Sequence, residues 1–188
     1  MATIKKNNNF FFPSNPNIKR YYYASTVTTF GSVVFVVPSD NINYSPIYIS
    51  KYIENPNFCI ESISGTGTIQ VGIYDGKNGL SGAPLLWSGN IVISAAGITK
   101  ISSNIKLKEG WYILGAIIIS CNSLNARIYA TNLFRVLFGE RTDILIGGGL
   151  GSSHYAQSNP GGLVSTIGSF SSINLVSQAN SPAVALEY

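Results

Sequence analysis

A Ser-His-Asp type catalytic centre needs an imidazole that is oriented by a carboxylate and faces a nucleophile. This sequence offers one imidazole, His154. It sits in a Gly/Ser-rich loop, and no Gly-x-Ser-x-Gly elbow joins a strand to a helix anywhere in the chain. His154 is therefore expected to hydrogen-bond in a loop, and a hydrolase is the least supported function class. Gly147-Gly148-Gly149-Leu150-Gly151 has the glycines of a phosphate loop. It lacks the lysine that follows them and any helix pattern to open, so phosphate binding is rejected. Asp75-Gly76-Lys77-Asn78-Gly79 begins like a calcium loop, but Lys77 stands where an oxygen ligand is needed. A turn built from Asp, Asn and Gly is the better reading. Eight acidic residues are present, and nothing in their spacing singles out a glycosidase pair. Catalytic residues, cofactor-binding residues and metal ligands are each expected to be none.

The two cysteines, Cys59 and Cys121, lie in apolar runs, where a free thiol packs as a small hydrophobe. A disulfide would need neighbouring strands in register and an oxidising compartment. The aromatic residues hold more promise. Tyr21-Tyr22-Tyr23, Tyr44, Tyr48, Tyr52, Tyr74, Trp87, Trp111 and Tyr112 supply rigid, amphipathic contact area suited to subunit interfaces or to stacking on sugars. In a strand-rich chain about half of them must face inward by alternation alone.

Composition limits the partners. The 188 residues are 45% hydrophobic and only 11% charged, well below the roughly 25% of ordinary globular domains. The net charge of +4 is located: Lys5, Lys6, Lys19 and Arg20 precede the first acid, Asp40, and the eight basic residues that follow match the eight acids. Two separated basic pairs do not make a nucleic-acid footprint, and no nucleic-acid partner is expected. Nothing approaches the ~18 apolar residues of a membrane span, so no membrane insertion is expected. No secretory leader is recognised at the N-terminus, which places synthesis in a cytosol.

Residues 1–17 read as an extended arm. Lys5-Lys6-Asn7-Asn8-Asn9 is polar, Phe10-Phe11-Phe12 is a dense apolar plug, and Pro13 and Pro16 block a helix. Burying each phenylalanine is worth about 1.5–3 kcal/mol, so the triplet with Lys5 and Lys6 is read as a protein anchor. Residues 18–188 form the second unit, a β domain. Short apolar runs at 21–29, 33–37, 47–53, 58–63, 68–74, 85–94, 99–105, 111–120 and 126–131 alternate with turn chemistry. Gly31-Ser32 breaks the first run, and Ser64-Gly65-Thr66-Gly67 reads as a tight turn. Residues 133–141 have room for one helical turn, and 147–162 form a long loop. Ile173 to Val176 and Ala183 to Glu187 are closing strands, the last placed at an edge by Pro182. The pattern predicts an all-β, antiparallel jelly-roll β-sandwich with an extended N-terminal arm.

The sharpest stretch is 69–115: a strand ending in Gly72-Ile73-Tyr74, a polar loop closing on Gly82-Ala83-Pro84, a strand Leu85 to Gly89, then Leu107-Lys108-Glu109-Gly110-Trp111-Tyr112. With Ser181 to Leu186, these residues resemble the jelly-roll β-sandwich of tailed-bacteriophage virion proteins, of the tail-fibre, receptor-binding or head-decoration type. The resemblance covers residues 30–188 and carries over no catalytic residue. It implies a non-enzymatic virion subunit, made in the host cytoplasm, whose partners are other virion proteins and copies of itself, with a trimer as the common form. A host surface glycan or receptor is a further expected partner. The alternative is a carbohydrate- or receptor-binding β-sandwich module.

Overall fold

A computed structural model of the chain describes residues 21–22, 27–132, 154–159, 161–168, 173–176 and 182–188. The anchor residues Lys5, Lys6, Phe10, Phe11 and Phe12, the helical turn expected at 133–141 and the glycine run at 147–151 lie outside the described residues. All regular structure within the described residues is strand: β1 (Tyr21–Tyr22), β2 (Val27–Phe35), β3 (Asn41–Ile49), β4 (Ile53–Glu54), β5 (Asn57–Asp75), β6 (Leu85–Ile93), β7 (Gly97–Ser102), β8 (Lys106–Leu107), β9 (Gly110–Asn132), β10 (His154–Ser158), β11 (Ile173–Val176) and β12 (Ala185–Glu187). No helix among them is long and apolar enough to cross a membrane. Every named strand pair is antiparallel.

Two long strands organise the fold. The second half of β5 lies between β6 and the first half of β9, which also pairs with β3, and β3 continues to β10 and β11. The first half of β5 pairs with β7 and β12, while the second half of β9 pairs with β2. The core shows that these halves fold over one another. Phe58, Ile60, Leu124, Ala126, Val184 and Leu186 from one side meet Ile47, Ile49, Ile69, Val71, Ile73, Ile91, Ile93, Leu114 and Ile118 from the other in one buried cluster. The result is a sandwich-like arrangement in which the same strands serve both layers.

This continuity corrects the expected turn at 64–67. The chain does not reverse there. Gly65 adopts φ +79° within β5, and the β5–β9 register shifts between Ser62 and Ser64 and again between Ser64 and Thr66. An irregularity of this kind bends a strand and changes which parity faces inward. Phe58 and Ile60 point into the core before it, and Ile69, Val71 and Ile73 after it. Likewise 111–120 and 126–131 are one strand, β9, which passes through Ser123 at φ 48°. Gly31-Ser32 does not break β2 either, because both residues are held in register opposite Ile128 and Arg127.

Three further expectations change. The strand expected at 47–53 begins earlier, at Asn41, and ends at Ile49; Pro46 fits within it opposite Ile113 on β9. β12 is not an edge strand: it lies between β1 and β5, and Pro182 bridges Ile128. His154 opens a strand, β10, opposite Val176, where a loop was expected.

A second, smaller core covers the outer face of the β3–β9–β5 sheet. Ile42, Tyr44, Tyr74, Ile113 and Ile117 lie under Leu80, Ala83 and Ile167, with Leu163 packed alongside. Gly72 and Gly115 face each other across β5 and β9. A Cβ on Gly72 would come within 2.6 Å of Leu163, and one on Gly115 within 2.9 Å of Tyr74. The paired glycines thus leave a recess that the leucine fills. The segment 161–168 and the 76–84 loop are stitched together by main-chain hydrogen bonds from Gly82 to Ile167, Ile167 to Ala83, and Leu85 to Ser165.

Candidate functional site

The described residues place the aromatics in three settings. Tyr44 and Tyr74 are fully buried and meet edge to face, with centroids 5.6 Å apart. Their hydroxyls hold the covering segments in place. Tyr74 donates to the Val164 carbonyl at 2.9 Å, and Tyr44 donates to Gln157 Oε1 at 3.1 Å. The same Gln157 oxygen accepts the Gly168 N–H, and Gln70 Oε1 accepts the Leu163 N–H at 2.7 Å. These hydrogen bonds clamp the covering segments onto the sheet. Burial pushes the Tyr74 phenol up to about 12 and raises that of Tyr44 further, with Tyr74 adding to the latter. Both raised values favour the neutral folded form. Their contribution is fully present below the unfolded phenol value, about 10, and is lost as pH climbs through the folded one. Urea midpoints followed by circular dichroism should therefore hold up to about pH 9 and fall steeply by about pH 11. An unchanged midpoint would show that these phenols are not protected.

In the second setting, Trp87 stacks on Phe58 against the main core, centroids 4.5 Å apart. The third is exposed. Tyr48 on β3 stands directly opposite Trp111 on β9, their ring centroids 5.2 Å apart and tilted by 58°. Tyr48 is 37% exposed and donates its hydroxyl to Glu109 Oε1 at 2.8 Å. That hydrogen bond is the main cause of its raised phenol pKa. The Tyr112 hydroxyl accepts the Lys108 N–H and donates to the Lys108 carbonyl, closing the turn that carries Glu109. Beyond the end of β3, Tyr52 donates weakly to Glu54 at 3.4 Å, and Glu54 pairs with Lys106 at 2.9 Å. Lys106 lowers the Glu54 carboxyl pKa, and Glu54 raises that of Lys106.

Neither the known protein-family models nor the curated proteins contain a match to this chain.

The remaining candidates resolve as follows. Asp75 Oδ1 accepts the Lys77 N–H at 3.1 Å, and Oδ2 pairs with Lys77 Nζ at 3.1 Å, so the aspartate serves a turn. Among the described residues, no group of three or more His, Cys, Asp or Glu could hold a metal ion. Cys59 and Cys121 are both free. β5 and β9 are neighbours, but Cys121 sits opposite Gly67, beyond the bend at Gly65, and Cys59 lies in the half of β5 that pairs with β7 and β12.

Two groupings escaped the sequence reading. Glu109 directly precedes Gly110-Trp111-Tyr112, and only the β3–β9 register reveals that it reaches Tyr48. On the opposite flank of β5, the buried Glu187 receives Lys100 Nζ at 2.7 Å and Asn57 Nδ2 at 3.3 Å, with Cys59 Sγ 3.9 Å away. Burial, then the Glu187 charge, pushes the Cys59 thiol up to about 11. Such a thiol is inert at neutral pH, because the thiolate is the reactive form.

Proposed function

We propose that the chain is a non-enzymatic structural subunit of a tailed-bacteriophage virion, an appendage or decoration protein with a jelly-roll β-sandwich body. The arm at 1–17, with Phe10, Phe11 and Phe12 as its plug and Lys5 and Lys6 beside them, anchors the body to another virion protein. The body assembles with its own copies, a trimer being the form the resemblance favours. The observation that carries this reading is the surface of the body. Val34, Val36 and Val37, close together in the chain, are 53%, 68% and 66% exposed, and Val92 and Ile98 are exposed as well. A charge-poor β domain showing this much aliphatic surface gains stability when neighbours cover it.

Removing residues 1–17 is expected to abolish incorporation into particles while the β circular dichroism spectrum stays intact. Normal incorporation of the truncated chain would refute the anchor. A second reading, a carbohydrate- or receptor-binding module active in host adsorption, is favoured by one specific feature: the Tyr48–Trp111 pair, exposed at Tyr48 and half-buried at Trp111, with its attached carboxylate.

A further inference from the structure

We infer that Tyr48, Trp111 and Glu109 form a subsite for a neutral saccharide. The inference rests on the second reading, in which the chain is a binding module, and gives that reading a ligand class and a location. Tyr48 and Trp111 project from paired positions on adjacent strands, on the face that holds Tyr44 and Ile113 in the second core. They are the last pair but one before the β3–β9 ladder ends at Ile49 and Gly110. Here the outer face leaves its cover and meets solvent. An aromatic face is electron-rich, and the C–H groups on one side of a pyranose ring are weakly positive, so the two stack. Two rings tilted by 58° offer a bent platform rather than a single flat one.

Stacking alone would accept any apolar group. Glu109 adds direction: a carboxylate has about four acceptor positions, and the Tyr48 hydroxyl uses one. Sugar hydroxyls are the donors that fit the others. The same negative charge disfavours uronic and sialic acids, which points to a neutral glycan. The phenol–carboxylate pairing recurs four residues on, where the 52%-exposed Tyr52 meets Glu54. At ~3.5 Å per residue, Tyr48 and Tyr52 are at most about 14 Å apart along the chain, within reach of neighbouring units of one oligosaccharide.

The test applies the full-length protein to an array of neutral, sialylated and uronic oligosaccharides. Binding to at least one neutral oligosaccharide is expected, with little to the acidic ones. For the bound member, Tyr48→Ala should weaken affinity about tenfold, the cost of one stacked ring. Glu109→Gln should weaken it less, and both variants should keep the native circular dichroism spectrum. Trp87→Phe leaves Trp111 as the sole indole, so its emission should change on titration with that oligosaccharide. The inference is overturned if the folded protein binds no neutral member, or if binding survives both Tyr48→Ala and Trp111→Ala undiminished. Adsorption to host cells with an empty array would sink the saccharide subsite and leave the binding-module reading standing.

Discussion

Gly65→Val is expected to unfold the protein. At φ +79°, an L side chain costs about 1–2 kcal/mol from local sterics before any neighbour is considered. The neighbour here is worse. A Cβ at this position would collide with the Ser123 carbonyl and lie 2.8 Å from the Leu124 Cα, all backbone of the partner strand. That backbone cannot retreat without breaking the β5–β9 ladder, and Leu124 is fully buried in the main core. The summed loss should exceed about 4 kcal/mol, the range reserved for severe core defects. Soluble expression and urea denaturation would register it, and a folded Gly65→Val protein with an unchanged midpoint would contradict the bend assigned to this residue.

The second large effect belongs to Glu187. Its carboxylate, 6% exposed, gathers Lys100 and Asn57 on the strand that closes the sheet against β5. Removing one member of a buried ion pair strands the other in a poor solvent. Lys100 remains partly solvated, so Glu187→Ala should cost about 2–4 kcal/mol, not the full penalty of a sealed pair. The nearby thiol gives an independent readout. The carboxylate is one cause of the raised Cys59 pKa, and Lys100 opposes it. Glu187→Gln should therefore lower that pKa below about 11 and speed alkylation at mildly alkaline pH. Slower or unchanged alkylation would show that the carboxylate does not act on the thiol.

Much of the architecture was legible in the chain. Alternation over 47–53 puts Ile47, Ile49 and Ile53 inside and Tyr48, Ser50 and Tyr52 outside, as found, but wrongly groups Lys51 with the core side, because β3 ends at Ile49 and Lys51 is exposed. The turn expected at Asn55-Pro56-Asn57 falls where β4 gives way to β5, with Asn55 at φ 50°. The reading failed where one glycine has two uses. Gly65 looks like a reversal, and becomes a bend only because β9 pairs with β5 on both sides of it, from Ser62 to Asp75, a pairing distant in sequence. β10 was missed because His-Tyr-Ala-Gln-Ser has too little apolar alternation to declare a strand, and its place is fixed by pairing with β3 and β11. The surface cluster was half visible. Tyr48 and Trp111 stood out as aromatics, but their meeting, and the arrival of Glu109, depend on a cross-strand register that no local pattern encodes.

The central claim is that this charge-poor β body is a component of a virus particle. Purified particles of a tailed phage whose genome carries this sequence, examined by cryo-electron microscopy together with quantitative mass spectrometry, test that proposal most directly. The account predicts the chain in a fixed number of copies, its density seated on another virion protein through residues 1–17. Particles that lack the chain, or a solitary monomer that turns over a substrate, would contradict it.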